Sequence, residues 1–312
     1  MDKAVKQKKA FLNNHTKKNI FIVSMLAFSV IQFLIFWVFV NFDTVLLTFR
    51  SFNFNTGKYD WIGFDNYKRI FFDRTNWPLL RKIILNSVLF FPVTNFILLP
   101  LSIVAAYILY KKIWGSGFFR VTFFLPSIIS IVVLTMAFSF MFDTEFGVMN
   151  SIIKGIGLGK IIPEAGWFGD AKTALPMIFL YCIWAGVGMN VVLLSGAISR
   201  IPQDIIEYSK IDGIGMWHGL VKIIIPLIWP TISTLFVVGS TAVFTLFLQP
   251  MMLTKGGPDN FSNTIGLFVV QQVRAGYFEL AATVGLSFSV IGIVIIQLIK
   301  LMMDKIGQTV EY

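Results

Sequence analysis

The segment EYSKIDGIGMWHGLVKIIIPLIWP, residues Glu207–Pro230, separates two long apolar runs of this 312-residue chain. It begins with polar and charged residues, contains two glycines, and ends in an apolar stretch interrupted by prolines. In a chain that crosses a membrane, such a polar segment lies outside the bilayer, and its length suggests that it contacts something there. The runs on either side of it decide which class of protein this is.

The composition is that of a membrane protein. Hydrophobic residues make up 56% of the chain and charged residues 13%, against about 25% charged in soluble domains. The net charge of +10 is dispersed, and no soluble domain accompanies it, which favours a charge bias between two membrane faces over nucleic-acid binding. A single cysteine, Cys182, excludes a disulfide framework, and two distant histidines, His15 and His218, disfavour a metal site.

A helix needs about 20 mostly apolar residues to cross a bilayer. Six runs meet this requirement without any Asp, Glu, Lys or Arg, and they are residues 19–41, 83–110, 121–142, 173–199, 223–253 and 280–299. Prolines in the second and fifth runs predict kinks there. The sequence therefore predicts an all-α, polytopic membrane protein with six transmembrane helices in a single transmembrane domain, residues 19–305.

The lysines predict the orientation of the chain. Six of them lie in residues 1–18, a cytoplasmic N-terminal tail by the positive-inside rule. The run that follows is 23 residues long and lacks a small-residue cleavage site, so we expect a retained span and not a signal peptide. Six spans return the C-terminal tail, 306–312, to the cytoplasm. Fourteen lysines and arginines then lie in 64 inner residues and 12 in 97 outer residues, which supports this topology.

The spans lack the residues that other mechanisms need. Proton coupling is disfavoured because no span core holds an ionisable side chain, although sodium sites built from carbonyl groups stay open. No GxxxxGK[ST] loop is present, so the chain does not hydrolyse ATP by itself. GxSxG and HExxH motifs are also absent, which argues against an enzyme. We predict that the chain forms the membrane-spanning part of a transporter, binds no cofactor, and receives energy from another subunit.

The longest inner segment, 200–222, is predicted to contain two short helices. Pro202 suits a first helical turn, and Asp204 suits the positive end of that helix. Gly213 and Gly215 are expected to end it before a second helix, MWHGLVK. Glu207 and Lys210 are expected to face a partner, and the face that packs under the spans is expected to comprise Ile201, Ile205, Tyr208 and Ile211 or Asp212. The alternative is an interfacial linker without a partner.

The spacing of this segment resembles the EAA loop of importer permeases of the ATP-binding-cassette (ABC) superfamily. The family pattern is E-A-A-x3-G-x9-I-x-L-P; here Tyr208 and Ser209 replace the alanines and Ile225 replaces the leucine. The resemblance implies that the segment is a coupling loop that docks on an ATPase. The positions that it implicates are Glu207, Tyr208, Ser209, Asp212, Gly213, Ile223 and Pro226.

Further blocks resemble the carbohydrate-uptake branch of the same family, which includes the MalF-like maltose permeases. They are WIGFDNYKRIF (61–71), FRVTFFLPSIIS (119–130), WAGVGMNVVLLSGAISRIP (184–202), LTKGGPDNFSNT (253–264) and GYFELAATVGLSFSV (276–290). The resemblance implies a type I ABC importer permease fold in the bacterial cytoplasmic membrane. It also implies three kinds of partner: a second permease, two cytoplasmic ATPase subunits that hold ATP and magnesium, and an external solute-binding protein.

The polar residues of the spans suggest the solute. A neutral sugar calls for hydroxyl groups and aromatic faces without buried charge, and the candidates are Tyr181, Trp184, Asn190, Thr234, Thr241, Thr245 and Gln249. Bonds between neighbouring helices are the alternative use of such residues. An anionic solute would favour nearby Arg or Lys, so a neutral sugar or oligosaccharide is predicted over a glycerol-phosphate-type solute. A stand-alone ion-driven carrier or channel is the competing function.

Overall fold

The computed structural model describes residues 2–53, 55–211 and 213–307, with the backbone alone at residues 2–15, 209 and 210. The chain divides into two compact units, Met1–Tyr67 and Lys68–Tyr312. Each unit is described by itself.

The first unit contains a long helix followed by a β-hairpin. The helix comprises α1, Asp2–Gln32, a π-helical segment π1, Phe33–Phe39, and α2, Val40–Leu47. The hairpin pairs β1, Arg50–Asn53, antiparallel with β2, Lys58–Trp61, and α3, Asp65–Phe71, begins after it.

A buried asparagine fixes this hairpin to the end of the long helix. The Asn66 side-chain amide donates to the carbonyl oxygens of Thr48 and Arg50, both at 2.9 Å. The Tyr67 hydroxyl donates to Thr48 Oγ1 at 3.0 Å, and the ring of Phe49 contacts the Tyr67 ring. The polar part of the WIGFDNYKRIF block therefore closes the turn that leads out of the helix.

The regular elements described in the second unit are all helical. In chain order they are α4, Trp77–Val88; α5, Phe90–Pro92; π2, Val93–Leu98; α6, Leu99–Tyr110; α7, Ser116–Ile128; α8, Ile131–Met141; α9, Val148–Gly155; a 3-10 turn, Gly159–Ile161; α10, Ala174–Ile198; α11, Gln203–Ile211; α12, Met216–Gly219; π3, Leu220–Ile224; α13, Ile225–Leu227; α14, Trp229–Thr245; α15, Leu248–Leu253; a second 3-10 turn, Pro258–Asn260; α16, Ile265–Arg274; and α17, Phe278–Ile306.

Within the described ranges, four helical stretches are long and apolar enough to cross a membrane: Thr16–Leu47, Trp77–Tyr110, Ala174–Ile198 and Phe278–Ile306. Two bent helix pairs raise this number to six if each pair counts as one span. The predicted helical, multi-pass architecture is thereby confirmed, while the number of crossings and the side of each terminus stay predictions.

One bend lies where the prolines predicted it, and one lies where none was predicted. Trp77–Tyr110 is a single helical stretch through Pro92 and Pro100, with the wider turn π2 between them. The fifth run bends by 79° at Ile228, beside Pro230, as predicted. The third run breaks by 109° after Ile128, where two residues adopt extended backbone, and no kink was predicted there.

The largest core joins α6 and α10 to the segment that precedes α14. Ile103, Ala106 and Leu194 are buried in it together with Leu220 and Ile224. On another side of α10, the helix approaches α7 closely: a Cβ at Gly188 of α10 would overlap the backbone carbonyl of Phe123 in α7. This core packs the segment Leu220–Ile224 against α6 and α10.

Candidate functional site

The segment from α11 to α13 forms a transverse arm that runs into α14. Met216–Leu227 meets Trp229–Thr245 at 79°, so this part of the arm lies across the direction of α14 and does not extend it. Leu220 and Ile224 are 3% and 4% exposed and fix the arm in the core. The Tyr107 hydroxyl adds a hydrogen bond from α6 to the carbonyl oxygen of Met216, at 3.2 Å. The two short helices predicted for residues 200–222 are confirmed.

The apolar face predicted for α11 is wrong in part. Ile201 is buried, and Ile205 and Ile206 pack against the core, but Tyr208 is 69% and Ile211 is 80% exposed. The physical reason is that the buried side of α11 is centred between Ile205 and Ile206, and successive steps of three residues move Tyr208 and then Ile211 away from that side. Two large apolar side chains thus project from the arm into solvent.

The other coupling-loop candidates occupy several environments. Glu207 is exposed and lines a cavity, and Ile223 lines the same cavity. Gly213 has φ +69°, a left-handed conformation that favours glycine, and no atom lies within 4 Å of a Cβ built there. Pro226 is exposed on α13. Asp212 and the side chain of Ser209 lie outside the described residues, as does the side chain of Lys210.

Three of the solute candidates share one groove on α14 and α15. Thr241, Thr245 and Gln249 line a groove of about 240 Å³ where the helix is interrupted at Leu246 and Phe247. The Thr241 hydroxyl donates to the Val238 carbonyl at 2.7 Å, and that of Thr245 to the Thr241 carbonyl at 3.0 Å. Each hydroxyl oxygen retains lone pairs that can accept a hydrogen bond from a solute.

A second groove continues along the same helix. It has a volume of about 600 Å³, shares Val238 with the first groove, and contains Thr234. Lys300 and Asp304 of α17 line it with one charge of each sign. The predicted stripe of threonines therefore follows one open side of α14.

The candidates on α10 do not line these grooves. Tyr181 is 1% exposed and packs edge-on against Phe138, with ring centroids 5.3 Å apart, and its hydroxyl has no hydrogen-bond partner among the described residues. Trp184 stacks on Phe138 at 5.7 Å and is 38% exposed. Asn190 is half-buried. Tyr181 is thus a core residue here, as the helix-packing alternative proposed.

The sequence reasoning missed a buried polar network between α4 and the LTKGGPDNFSNT block. Asn86 donates to the carbonyl oxygens of Asn260 and Asn263, at 3.2 and 3.0 Å. Ser87 Oγ accepts from the backbone N–H of Ile265 at 2.8 Å. The Lys82 ammonium lies 3.3 Å from the centroid of the Phe261 ring. Seven polar residues among the twelve of the block were the available signal.

A second network orders the segment after α8. The Asn150 side chain donates to the Asp143 carbonyl oxygen and accepts from Trp167 Nε1, both at 2.6 Å. The Asp143 carboxylate accepts from the backbone N–H groups of Phe146 and Glu145, and these bonds lower the pKa of Asp143. The carboxylate therefore stays ionised and holds this turn at neutral pH.

The chain is similar to known transport proteins in sequence. A family model described as "Binding-protein-dependent transport system inner membrane component" matches residues 98–312. The probable ABC transporter permease protein YurN of Bacillus subtilis (strain 168) is 29% identical over 259 residues, which are 81% of this chain and 86% of YurN. The multiple sugar-binding transport system permease protein MsmF of Streptococcus mutans is 29% identical over 269 residues, 86% of this chain and 90% of MsmF.

The fold is also that of a solved transporter. A chain from the crystal structure of a bacterial ABC transporter involved in the import of the acidic polysaccharide alginate superimposes with a TM-score of 0.81. It shares 21% sequence identity, and the match covers 95% of this chain and 99% of that one. The class that the fold defines is therefore the type I ABC importer permease, as the EAA-like spacing predicted.

The chain belongs to the family of binding-protein-dependent transport system inner membrane components. It is accordingly a multi-pass inner-membrane transport permease, and its family is not one of catalytic enzymes.

Proposed function

We propose that the chain is one permease subunit of an importer for a neutral sugar or oligosaccharide, powered by ATP hydrolysis on separate subunits. The names of relatives such as MsmF support a carbohydrate solute. The family description supports delivery by a solute-binding protein. In this proposal the six predicted spans place both termini and the transverse arm in the cytoplasm.

The observation that carries the proposal is the exposure of Tyr208 and Ile211. Both side chains lie on α11, beside the left-handed turn at Gly213. Exposed apolar side chains clustered on a rigid element mark a protein interface. Burial in a partner would stabilise the complex by about 1.5–3 kcal/mol for each large apolar side chain. The proposed occupant is the ATPase, which the EAA-like spacing also implies.

The arm is suited to transmit a movement of that partner. Leu220 and Ile224 fix it to α6 and α10, and its far end turns by 79° into α14. A displacement of α11 therefore acts at an angle on the helix that carries both grooves. Such rigid-body coupling between a docked partner and a membrane helix is a known form of switching.

The groove on α14 and α15 supports a neutral solute. The residues described along the groove that contains Thr241, Thr245 and Gln249 carry no charge. Their hydroxyl and amide groups can bond sugar hydroxyls without a desolvated ion. The open side of α14 would become a closed passage when a second permease covers it, which is the proposed role of that partner.

A docking experiment tests the proposal. Tyr208→Ala together with Ile211→Ala should leave the chain in the membrane while the ATPase no longer copurifies and ATP-driven sugar uptake is lost. Phe146→Ala with Val148→Ala is the matched control, since both side chains are exposed and apolar in a predicted outer segment. An ATPase that stays attached to the first variant would contradict docking at α11, and ATP-independent uptake by the chain alone would favour a stand-alone carrier.

A further inference from the structure

A cavity of about 300 Å³ separates the end of α6 from the transverse arm. It is a different space from the two grooves on α14, with which it shares no lining residue. Its polar lining consists of Tyr107, Tyr110, Lys111, Lys112, Gln203 and Glu207. Glu207 and Ile223 are also coupling-loop candidates, but the proposed docking side chains, Tyr208 and Ile211, do not line this cavity.

Two consecutive lysines form one wall. Lys111 follows α6, and its ammonium lies 5.1 Å from the centroid of the Tyr107 ring. Lys112 has φ +52°, a left-handed conformation that is uncommon for a residue other than glycine. The chain turns there, and both lysines line the same cavity although neighbours on a helix would diverge. The wall therefore offers two ammonium groups to one ligand.

The opposite wall has a different chemistry. Gln203 and Glu207 of α11 supply an amide and a carboxylate, and apolar side chains of α11 and π3, such as Ile206 and Ile223, line the space between. A simple anion would meet the lysines but would be repelled by Glu207. The cavity fits a ligand that carries an anionic group at one end, a hydroxyl or ammonium donor at the other, and apolar groups next to them. A phospholipid headgroup has these three properties.

The position of the cavity favours a lipid over a solute from water. It lies at the end of a helical stretch long enough to cross the membrane, Trp77–Tyr110. Beside it Trp114 is 96% exposed, and on the arm Trp217 is 58% exposed. Tryptophan is enriched where a protein meets the lipid headgroups. Basic pockets at helix ends at this level bind anionic headgroups.

We propose that this cavity binds the headgroup of an anionic phospholipid, with the phosphate at Lys111 and Lys112 and the headgroup alcohol at Gln203 and Glu207. The bound lipid would connect α6 to α11 in addition to the bond from Tyr107 to Met216. Binding of the lipid does not require that an ATPase dock on α11, so it can be tested independently of the proposed function.

The test measures lipid retention by the full-length chain. The chain is transferred to nanodiscs of phosphatidylcholine with or without phosphatidylglycerol, extracted into mild detergent, and analysed by native mass spectrometry. Lys111→Gln with Lys112→Gln should weaken phosphatidylglycerol binding about fivefold per lysine, which corresponds to about 1 kcal/mol for each basic residue at a membrane surface. Lys17→Gln with Lys18→Gln removes the same charge from an exposed adjacent pair and should retain the lipid.

A second variant tests whether the space of the cavity is needed when its charge is unchanged. Ile214→Trp should fill the cavity, which Ile214 lines, while both lysines remain. Lipid retention should fall in this variant and stay unchanged in Ile113→Trp, which alters an exposed neighbour that does not line the cavity.

Three results would overturn the proposal. The first is equal phosphatidylglycerol retention in wild type and in the Lys111/Lys112 variant. The second is equal loss in the Lys17/Lys18 control, which would mean non-specific attraction to charge. The third is saturable binding of water-soluble glycerol phosphate with no retained lipid, which would identify a soluble phosphate as the ligand.

Discussion

The hydroxyl of Tyr107 donates a hydrogen bond to the carbonyl oxygen of Met216, 109 residues later in the chain, at 3.2 Å. It is a polar connection between α6 and the transverse arm, and its donor is 4% exposed. Because the donor is buried, loss of this bond should increase the mobility of the arm.

Tyr107→Phe is therefore expected to loosen the arm without unfolding the chain. The loss of one hydrogen bond costs about 1 kcal/mol, so the thermal midpoint should fall slightly, while ATP-driven uptake should fall more because movement of the partner is transmitted less faithfully. Tyr110→Phe, on the same helix, is the control. Hydrogen exchange of residues 213–224 measures the effect, and equal protection in both variants would contradict it.

The close contact between α7 and α10 makes a second prediction. In Gly188→Ala the new methyl group would overlap the carbonyl of Phe123, which as backbone has little freedom to move. We expect destabilisation by about 3 kcal/mol, seen as a lower thermal midpoint and a lower yield in the membrane. Gly196→Ala on the same helix meets no atom within 4 Å and should be neutral or slightly stabilising. Similar midpoints for the two variants would refute the close contact.

The two sets of solute candidates should behave differently. Thr241→Val and Gln249→Leu remove polar groups from the groove and should raise the KM for sugar uptake several-fold with normal membrane levels. Tyr181→Phe removes a buried hydroxyl that has no partner among the described residues, and should leave uptake unchanged and stability equal or higher. An unchanged KM in both groove variants would exclude this groove from the path.

The network around Asn86 makes a prediction about stability. Asn86→Leu leaves the buried carbonyl oxygen of Asn263 without its donor, while that of Asn260 keeps a hydrogen bond from the backbone N–H of Asn263. Unsatisfied buried acceptors cost about 1–3 kcal/mol, so thermal unfolding should begin at a lower temperature. Asn55→Ala, in the exposed turn of the hairpin, should have no such effect. A midpoint equal to that of wild type would show that water replaces the lost donor.

The sequence predicted the parts of the fold that depend on local pattern. Apolar runs predicted the helices, and the glycines after residue 211 predicted the turn that ends α11. It failed where the tertiary structure decides. The break after Ile128 has no proline or glycine at its extended residues, and α16, Ile265–Arg274, is a short helix in a segment predicted only as outer loop.

The same distinction holds for the candidate site. Helical spacing could place Ile205 and Tyr208 near each other on α11, but it could not show that the side centred between Ile205 and Ile206 is the one that faces the core. Polarity selected Tyr181 and Thr241 equally. Only packing shows that the first lies among aromatic rings and the second beside a groove. The cavity that Lys111 and Lys112 share with Gln203 and Glu207 had no signal in the sequence beyond the charge of the lysines.

The π-helical segment Val93–Leu98 contains one residue more than an α-helical turn would hold. Deleting a single residue there should restore ordinary α-helix while α6 keeps its rotational position relative to the preceding α4, because the extra residue is taken up within one widened turn. Inserting one residue into the regular helix of α6 before Ile103 should instead rotate everything beyond it by about 100°. Ile103 and Ala106 would then turn away from α10, and the lysines that follow α6 would leave their cavity. A one-residue insertion in α6 should therefore be far more damaging than a one-residue deletion in π2.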